Sequence, residues 1–461
     1  MKTKLFLIAM ALSNAALAYE STEGPTGVIR YDRETAMAGY TLIAPAGVEN
    51  VYLIDNTGWI VKEWKLPGGG HTELLENGDI LRLGAATSPD NFVNWGGTAG
   101  QINQYFPNGT LRWSYTNVDV DSVLHHTFHQ KGDGNSLVAV WERHSDTEAL
   151  AKGRIQDAYL YPLFNAAGNP SRCARNTYCG GLWADSVIEL DGQGRETGWK
   201  WDGWTLMENS VSADRLDINY HIPERAISNR STADYMHVNG IDYDPTHELL
   251  LLTSRSFGEI YLIDFHTQQI VGRWGNPFAT KTGPEPKWMN DGATQLWGPH
   301  GANFVASSAS AVRVLVFDNG WMRPEDRRSR VLEIEFKKNA QGRWMPEPNV
   351  AWQYQTSAQQ SLLTDFQGYG QRLPNGNTLI ASSAMQHVIE VTPAGKVAWE
   401  FISPVFANGE IKCKFNAEEN PPLTFFRAYK YARNYPGLRG LDLRRRRPFS
   451  LSCPLGPWLR K

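Results

Sequence analysis

The chain reads as an all-β protein, a six-bladed β-propeller closed by N- and C-terminal segments that share one blade. Three observations lead there: a recurring four-strand unit, a tryptophan in each fourth strand, and an N-terminal unit one strand short. The composition agrees, because 11% aromatic residues with 42 Gly and 25 Pro favour short strands and tight turns over a helical bundle. Repetition on this scale outweighs any single motif.

The unit is clearest between residues 71 and 115. His71–Glu76 alternates as a strand, Asn77-Gly78 is a hairpin signal, and Asp79–Gly84 returns. Gln101–Phe106 alternates again, Asn108-Gly109 turns it, and Thr110–Tyr115 closes the unit. Four antiparallel strands joined by tight turns make one propeller blade. The second blade runs His126–Lys131, Asn135–Trp141, Ser186–Asp191 and Trp199–Trp201; the third His237–Tyr243, Glu248–Arg255, Glu259–Asp264 and Gln269–Trp274. The fourth runs His300–Ala306, Val312–Asn319, Arg330–Phe336 and Val350–Tyr354. In the fifth, Gly368–Leu373 turns at Pro374-Asn375-Gly376 and ends in Val388–Val391 and Lys396–Phe401. Trp113, Trp201, Trp274, Trp352 and Trp399 mark the fourth strands. At the N-terminus, Gly39–Pro45, Asn50–Asp55 and Trp59–Trp64 supply only three strands, so the missing inner one is expected from Phe425–Tyr431. Closing the ring in this way removes the edges an open sheet must protect.

The remaining segments divide simply. Lys2, Lys4, the apolar run Leu5–Leu12 and Ala16-Leu17-Ala18 form a cleavable signal peptide over 1–18, which predicts a periplasmic or secreted protein. The propeller then occupies 19–436, interrupted at 142–185 and 203–235 by loops long enough to be lids or disordered. Residues 437–461, with Arg444–Arg447, match no blade and read as a solvated basic tail. With 45 basic against 48 acidic residues, nucleic acid is not an expected partner, since phosphate binding needs a dense basic face. No segment after the signal reads as membrane-spanning. Cys173 and Cys179 have a spacing that suits a small disulfide-closed loop in an oxidising compartment, and no His pair stands near them to suggest a metal. Nothing local pairs Cys413 with Cys453.

Four of the 11 histidines, His71, His126, His237 and His300, open the inner strands of successive blades. Inner strands line the central channel, so their first residues gather at one rim. Antiparallel pairing brings the end of the second strand to that rim, which places Arg255 beside His237; Asn239, two residues on, shares the face of His237. A single histidine in a channel is commonly a satisfied structural group, but a fold alone requires none at four equivalent positions. Metal binding fits poorly, because no carboxylate accompanies the histidines and Arg255 would repel a cation. Anion binding fits better, and group transfer to a neutral histidine nucleophile fits as well.

Met236-His237-Val238-Asn239-Gly240, then Ser254-Arg255, Gly298-Pro299-His300-Gly301 and Asp318-Asn319-Gly320, resemble the bacterial aryl-sulfate sulfotransferase family. The resemblance runs from about Gly39 to Phe401. It implies a six-bladed propeller and an enzyme that moves a sulfuryl group from a phenolic sulfate ester to a phenol, with no nucleotide cofactor. It further implies that His300 is the nucleophile and becomes transiently sulfated. His126, His237, Asn239 and Arg255 then hold the sulfuryl oxygens and assist proton transfer; His71 is an addition to the rim, and Tyr369 contacts the aromatic part of the substrate. Better-known members carry a separate N-terminal β-domain that contributes to dimerisation; this chain has about twenty residues between Tyr19 and its first blade, so the resemblance leaves the oligomeric state open. A propeller that binds a sulfated or carboxylated ligand at this rim without turnover is the alternative.

Overall fold

A computed structural model describes residues 23–85, 96–154, 172–173, 177–178, 181–209, 212–220, 234–280, 295–320, 323, 326–356, 362–406, 409–412, 414–416 and 424–449. Six antiparallel sheets form the blades. Blade one pairs Thr72–Leu74, Ile80–Ala85, Gly100–Tyr105 and Leu111–Thr116 in sequence order. Blade two pairs Ser122–Gln130, Ser136–His144, Leu182–Leu190 and Glu196–Asp202. Blades three and four repeat this order with Val238–Asp244, Leu249–Ser254, Glu259–Asp264, Ile270–Trp274, and with His300–Ser308, Ala311–Asp318, Arg330–Lys337, Asn349–Gln355. Blade five comprises Tyr369–Arg372, Thr378–Ser382, His387–Val391 and Val397–Ile402.

Blade six closes the ring as expected. Phe425–Ala432 is its inner strand, antiparallel to Gly39–Pro45, with Tyr40 opposite Tyr431 and Leu42 opposite Tyr429. Asn50–Asp55 and Trp59–Lys65 follow outward. Two edges gain a fifth strand that the sequence pattern does not announce. Gly27–Tyr31 pairs with Val397–Ile402 on blade five, and Arg447–Pro448 pairs with Trp59 and Ile60 on blade six. The described part of the tail lies along blade six while Arg444–Arg446 stay exposed: Arg445 meets Asp55 at 2.8 Å, Arg447 meets Glu63 at 3.0 Å, and Phe449 is buried against Tyr52.

Burial follows the radial order. Leu249–Ser254 is buried at every position, whereas the outermost Leu111–Thr116 buries only Trp113. The outer tryptophans act between blades. The indole N–H donates to a carbonyl in the next blade from Trp64 to Pro107 (2.8 Å), Trp352 to Pro393 (3.0 Å) and Trp399 to Asn56 (2.9 Å). In blade two Trp199, not Trp201, makes that bond, to Phe265 O at 3.1 Å. Trp113 instead packs on Gly194, at a φ of +77°, where an added Cβ would fall 2.5 Å from the indole. Each peg ties an outer strand to its neighbour's turn, a physical reason for the repeat.

The middle strands of blade two are longer than the sequence pattern indicates. Residues 142–144 and 182–185 belong to strands, so the interruption lies between His144 and Leu182. Among the described residues it holds a short helix, Asp146–Ala151, capped by Ser145 and Glu148 in a capping box, and the paired dipeptides Arg172–Cys173 and Thr177–Tyr178. Cys179, Cys413, Cys453 and the signal segment lie outside the described residues.

Candidate active site

His237 and His300 stand at the starts of their inner strands, but His126 does not open its own: that strand begins at Ser122, four residues earlier than the sequence pattern indicates, and the backbone around His126 and His237 is irregular. The register of blade two slips between Leu124 and Phe128, and His126 takes a φ of +47°; in blade three it slips after Val238, and His237 takes +55°. Left-handed backbone at a non-glycine residue costs on the order of 1–3 kcal/mol and persists only where surroundings enforce it. Here they do. The His126 amide donates to Gly97 O at 2.8 Å, and a Cβ on Gly97 would overlap the His126 ring. The two strained rings meet edge-on with centroids 4.3 Å apart.

His237 is oriented by Asp234, whose carboxylate accepts from Nδ1. His300 is buried, with Nδ1 2.7 Å from Asn319 Oδ1 and 3.0 Å from Gly298 O. The Asn319 amide is itself unambiguous, because its Nδ2 donates to Thr364 O and Gln367 O at 2.8 Å each. Two acceptors at Nδ1 require the proton there, which leaves the lone pair on Nε2. Burial first, then Arg255 and His237, hold the His300 pKa well below the usual imidazole range. His126 is depressed in the same direction by burial, then by His237, His125, His300 and Arg255. His126, His237, His300 and Arg255 are therefore close enough to act on one another electrostatically, and the imidazoles of His126 and His300 are neutral at pH 7.

Three other expected residues have different surroundings. The Asn239 amide donates to Pro299 O at 2.9 Å and its Oδ1 faces Gly301 N at 3.4 Å, so its side chain braces the turn on both sides of His300. His71 has both ring nitrogens engaged, Nε2 with Tyr429 Oη at 2.6 Å and Nδ1 facing Thr127 Oγ1 and the Phe128 amide, and its ring stacks on Phe128. That is the arrangement of a satisfied channel histidine. Tyr369 packs against Gly301, where a Cβ would meet its ring at 2.7 Å, and the Arg427 guanidinium lies 4.7 Å from its ring centre. It also lines a cavity of about 400 Å³ further along the channel with Glu73, His129, Asp242, Arg427 and Tyr429. Among the described residues no three His, Cys, Asp or Glu side chains are grouped to hold a metal ion.

Several residues of this neighbourhood escape sequence reasoning. Asn319 ends the second strand of blade four, so the rule that finds Arg255 would have found it. Asp234 sits at the end of a long interruption and Asp185 at the start of a strand longer than its pattern. Arg427 comes from the closing strand, and its Nη2 donates to Thr127 Oγ1 (3.0 Å) and Asn239 O (3.1 Å).

No curated protein matches the chain. Among solved structures, a protein of unknown function from Bacteroides caccae is similar at 13% identity and a TM-score of 0.40, over 79% of this chain and 93% of that one. A catalytically inactive virginiamycin B lyase from Staphylococcus aureus, solved with quinupristin, is similar at 10% identity and a TM-score of 0.35, over 85% and 88% of the two chains. The arylsulfotransferase (ASST) family model matches residues 174–386, the stretch that holds His237, Asn239, Arg255, His300 and Tyr369.

Proposed function

We propose that this protein is an arylsulfotransferase that moves a sulfuryl group from a phenolic sulfate ester to a phenol through a sulfated His300, a reading that the family match over residues 174–386 supports. The observation that carries the reading is the environment of His300: Nδ1 bound to Asn319 and Gly298, Nε2 unprotonated, and a pKa held down by burial and Arg255. A neutral, oriented imidazole is what a nitrogen nucleophile needs.

In the first half-reaction His300 Nε2 attacks sulfur, the S–O bond to the aryl group breaks, and the aryl oxygen takes a proton from a neighbouring histidine. In the second, an acceptor phenol gives its proton to that histidine as its oxygen attacks the sulfo-histidine. Arg255 supplies donors to the sulfuryl oxygens, whose charge persists through both transition states. Asn239 serves by fixing the backbone around His300. The N-terminal pattern of Lys2, Lys4, Leu5–Leu12 and Ala16–Ala18 supports an exported enzyme that meets phenols outside the cytoplasm.

The test mixes the protein with 4-nitrophenyl sulfate, with and without added phenol, and compares wild type with His300→Gln. Phenol-dependent nitrophenol release that vanishes in the variant, with a trapped sulfo-enzyme seen by mass spectrometry in wild type alone, is the expected result. Equal release from both proteins would remove His300 from the reaction. Binding of the ester without release by either would favour a non-catalytic propeller.

A further inference from the structure

The rim histidine of blade two does not stand alone. His125 and His126 are consecutive, and on a regular strand their side chains would point to opposite faces. The register slip and the left-handed backbone of His126 bring them to the same side, with the two Nδ1 atoms 2.9 Å apart. Two like nitrogens at that distance share one proton, so the tautomer of one ring dictates that of the other. On its far side, His125 Nε2 stands 3.3 Å from Asp185 Oδ1, close but not well aligned for a hydrogen bond, as is common for catalytic contacts before substrate binds. Trp141 clamps the His125 ring in a stack at 4.0 Å and 3°. His125 and Asp185 are fully buried.

We propose that Asp185 and His125 are positioning residues that form a proton relay with His126, so that the proton exchanged in each half-reaction is stored on the Asp185 carboxyl. This rests on the sulfuryl-transfer reading above. The chain has two states. In the loaded state Asp185 is a carboxylic acid donating to His125 Nε2, His125 Nδ1–H donates to His126 Nδ1, and His126 Nε2–H faces the substrate. As the S–O bond breaks, the Nε2 proton passes to the aryl oxygen. The His125 Nδ1 proton then moves to His126 Nδ1, and the Asp185 proton moves to His125 Nε2. The unloaded state has an Asp185 carboxylate and a His126 Nε2 lone pair, ready to take the proton of the acceptor phenol and restore the loaded state. Both imidazoles stay neutral throughout.

The electrostatics favour that division. Burial, with Asp234 adding to it, raises the Asp185 carboxyl well above the usual carboxylate range, against the amides of Val238, His237 and Met236. Burial and then His237 hold His125 well below the usual imidazole range. His126 faces His237, His125, His300 and Arg255, all of which disfavour an imidazolium, and His237 carries its own carboxylate partner in Asp234. A proton entering this line therefore ends on the acid and not on a ring.

A merely structural Asp185 is separable from this one. Asp185 Oδ1 accepts from the Val238 amide at 2.8 Å, and Asp185→Asn keeps Oδ1 as that acceptor while abolishing the titration of the side chain. His125→Gln breaks the line without touching the Val238 amide. Both variants are assayed against aryl sulfates of rising leaving-group pKa, from 4-nitrophenyl to phenyl sulfate, after thermal melting shows each is folded. Both are expected to lose on the order of 10²–10⁴-fold with phenyl sulfate and at least about tenfold less with 4-nitrophenyl sulfate, whose leaving oxygen needs little help. In the infrared, a protonated-carboxyl band present in wild type should be missing from Asp185→Asn. A loss equal across the series, or no loss, with the carboxyl band unchanged, overturns the relay while leaving sulfuryl transfer intact. Full activity of His300→Gln would overturn the transfer reading, and the relay with it.

Discussion

In the proposed reaction Arg255 carries two separable duties, and its replacement pulls them apart. It directly follows the second strand of blade three, Leu249–Ser254, and its backbone amide donates to His237 O at 3.2 Å, so removing its side chain leaves that bond in place. The guanidinium is among the groups that depress His300 and His126, and in the proposed reaction its planar set of donors serves the sulfuryl oxygens. Loss of one such donor in Arg255→Ala lowers turnover on the order of 10²–10³-fold, or about 2.7–4 kcal/mol of barrier. The pH profile moves as well. Protonated His300 cannot attack, and Arg255 keeps it unprotonated to lower pH; without that charge the pKa rises and the acid limb of kcat/KM shifts to higher pH. Arg255→Lys keeps the charge but loses the fork, so its acid limb should stay near wild type while turnover remains depressed. Steady-state rates with 4-nitrophenyl sulfate and phenol across the acid range measure both effects. A fall of less than about threefold in Arg255→Ala, or an acid limb identical in wild type and Arg255→Ala, would refute the assignment.

Two further perturbations test the frame around the site. In Gly97→Ala the new methyl overlaps the His126 ring and the backbone sits at a φ of +96°, so stability should fall by about 1–3 kcal/mol and turnover by on the order of 10²–10⁴-fold, read by melting and steady-state rates. Lys430 on the closing strand and Glu390 of blade five form an ion pair, 2.6 Å apart, in which neither side chain is exposed. Glu390→Gln leaves that ammonium buried without its counter-charge and should cost about 3–5 kcal/mol in urea unfolding, whereas a surface pair such as Arg444–Asp442 should matter little.

The blades were legible because a propeller writes its periodicity into the chain: Asn77-Gly78 and Asn108-Gly109 mark hairpins, and the outer tryptophans recur because each serves the next blade. The closing strand was legible by subtraction, since Gly39–Lys65 lacked an inner partner. The rim histidines followed from strand direction alone. What escaped depends on departures from regularity. His125 could not be read as a neighbour of His126 in function, because only a slipped register and a left-handed residue turn consecutive rings to one side. Asp185 was hidden because Leu182–Leu190 is buried at every position and shows no alternation to mark where the strand begins. The roles of His71 and Asn239 turn on hydrogen-bond partners from other blades, Tyr429 and Pro299, which no local pattern announces.

The strand that shuts the ring also furnishes the channel. Phe425–Ala432 is the last inner strand in sequence, yet Arg427 reaches from it to Thr127 and to the Asn239 carbonyl, next to the residues proposed to act on sulfur. A nascent chain emerging N-terminus first therefore holds four blades' worth of rim residues long before it holds the strand on which their final spacing rests. Reactivity would then arrive last in biosynthesis, only once synthesis passes Ala432 and the two ends of the polypeptide have found each other. Proteolytic loss of the chain beyond blade five would silence the enzyme without touching a single rim histidine.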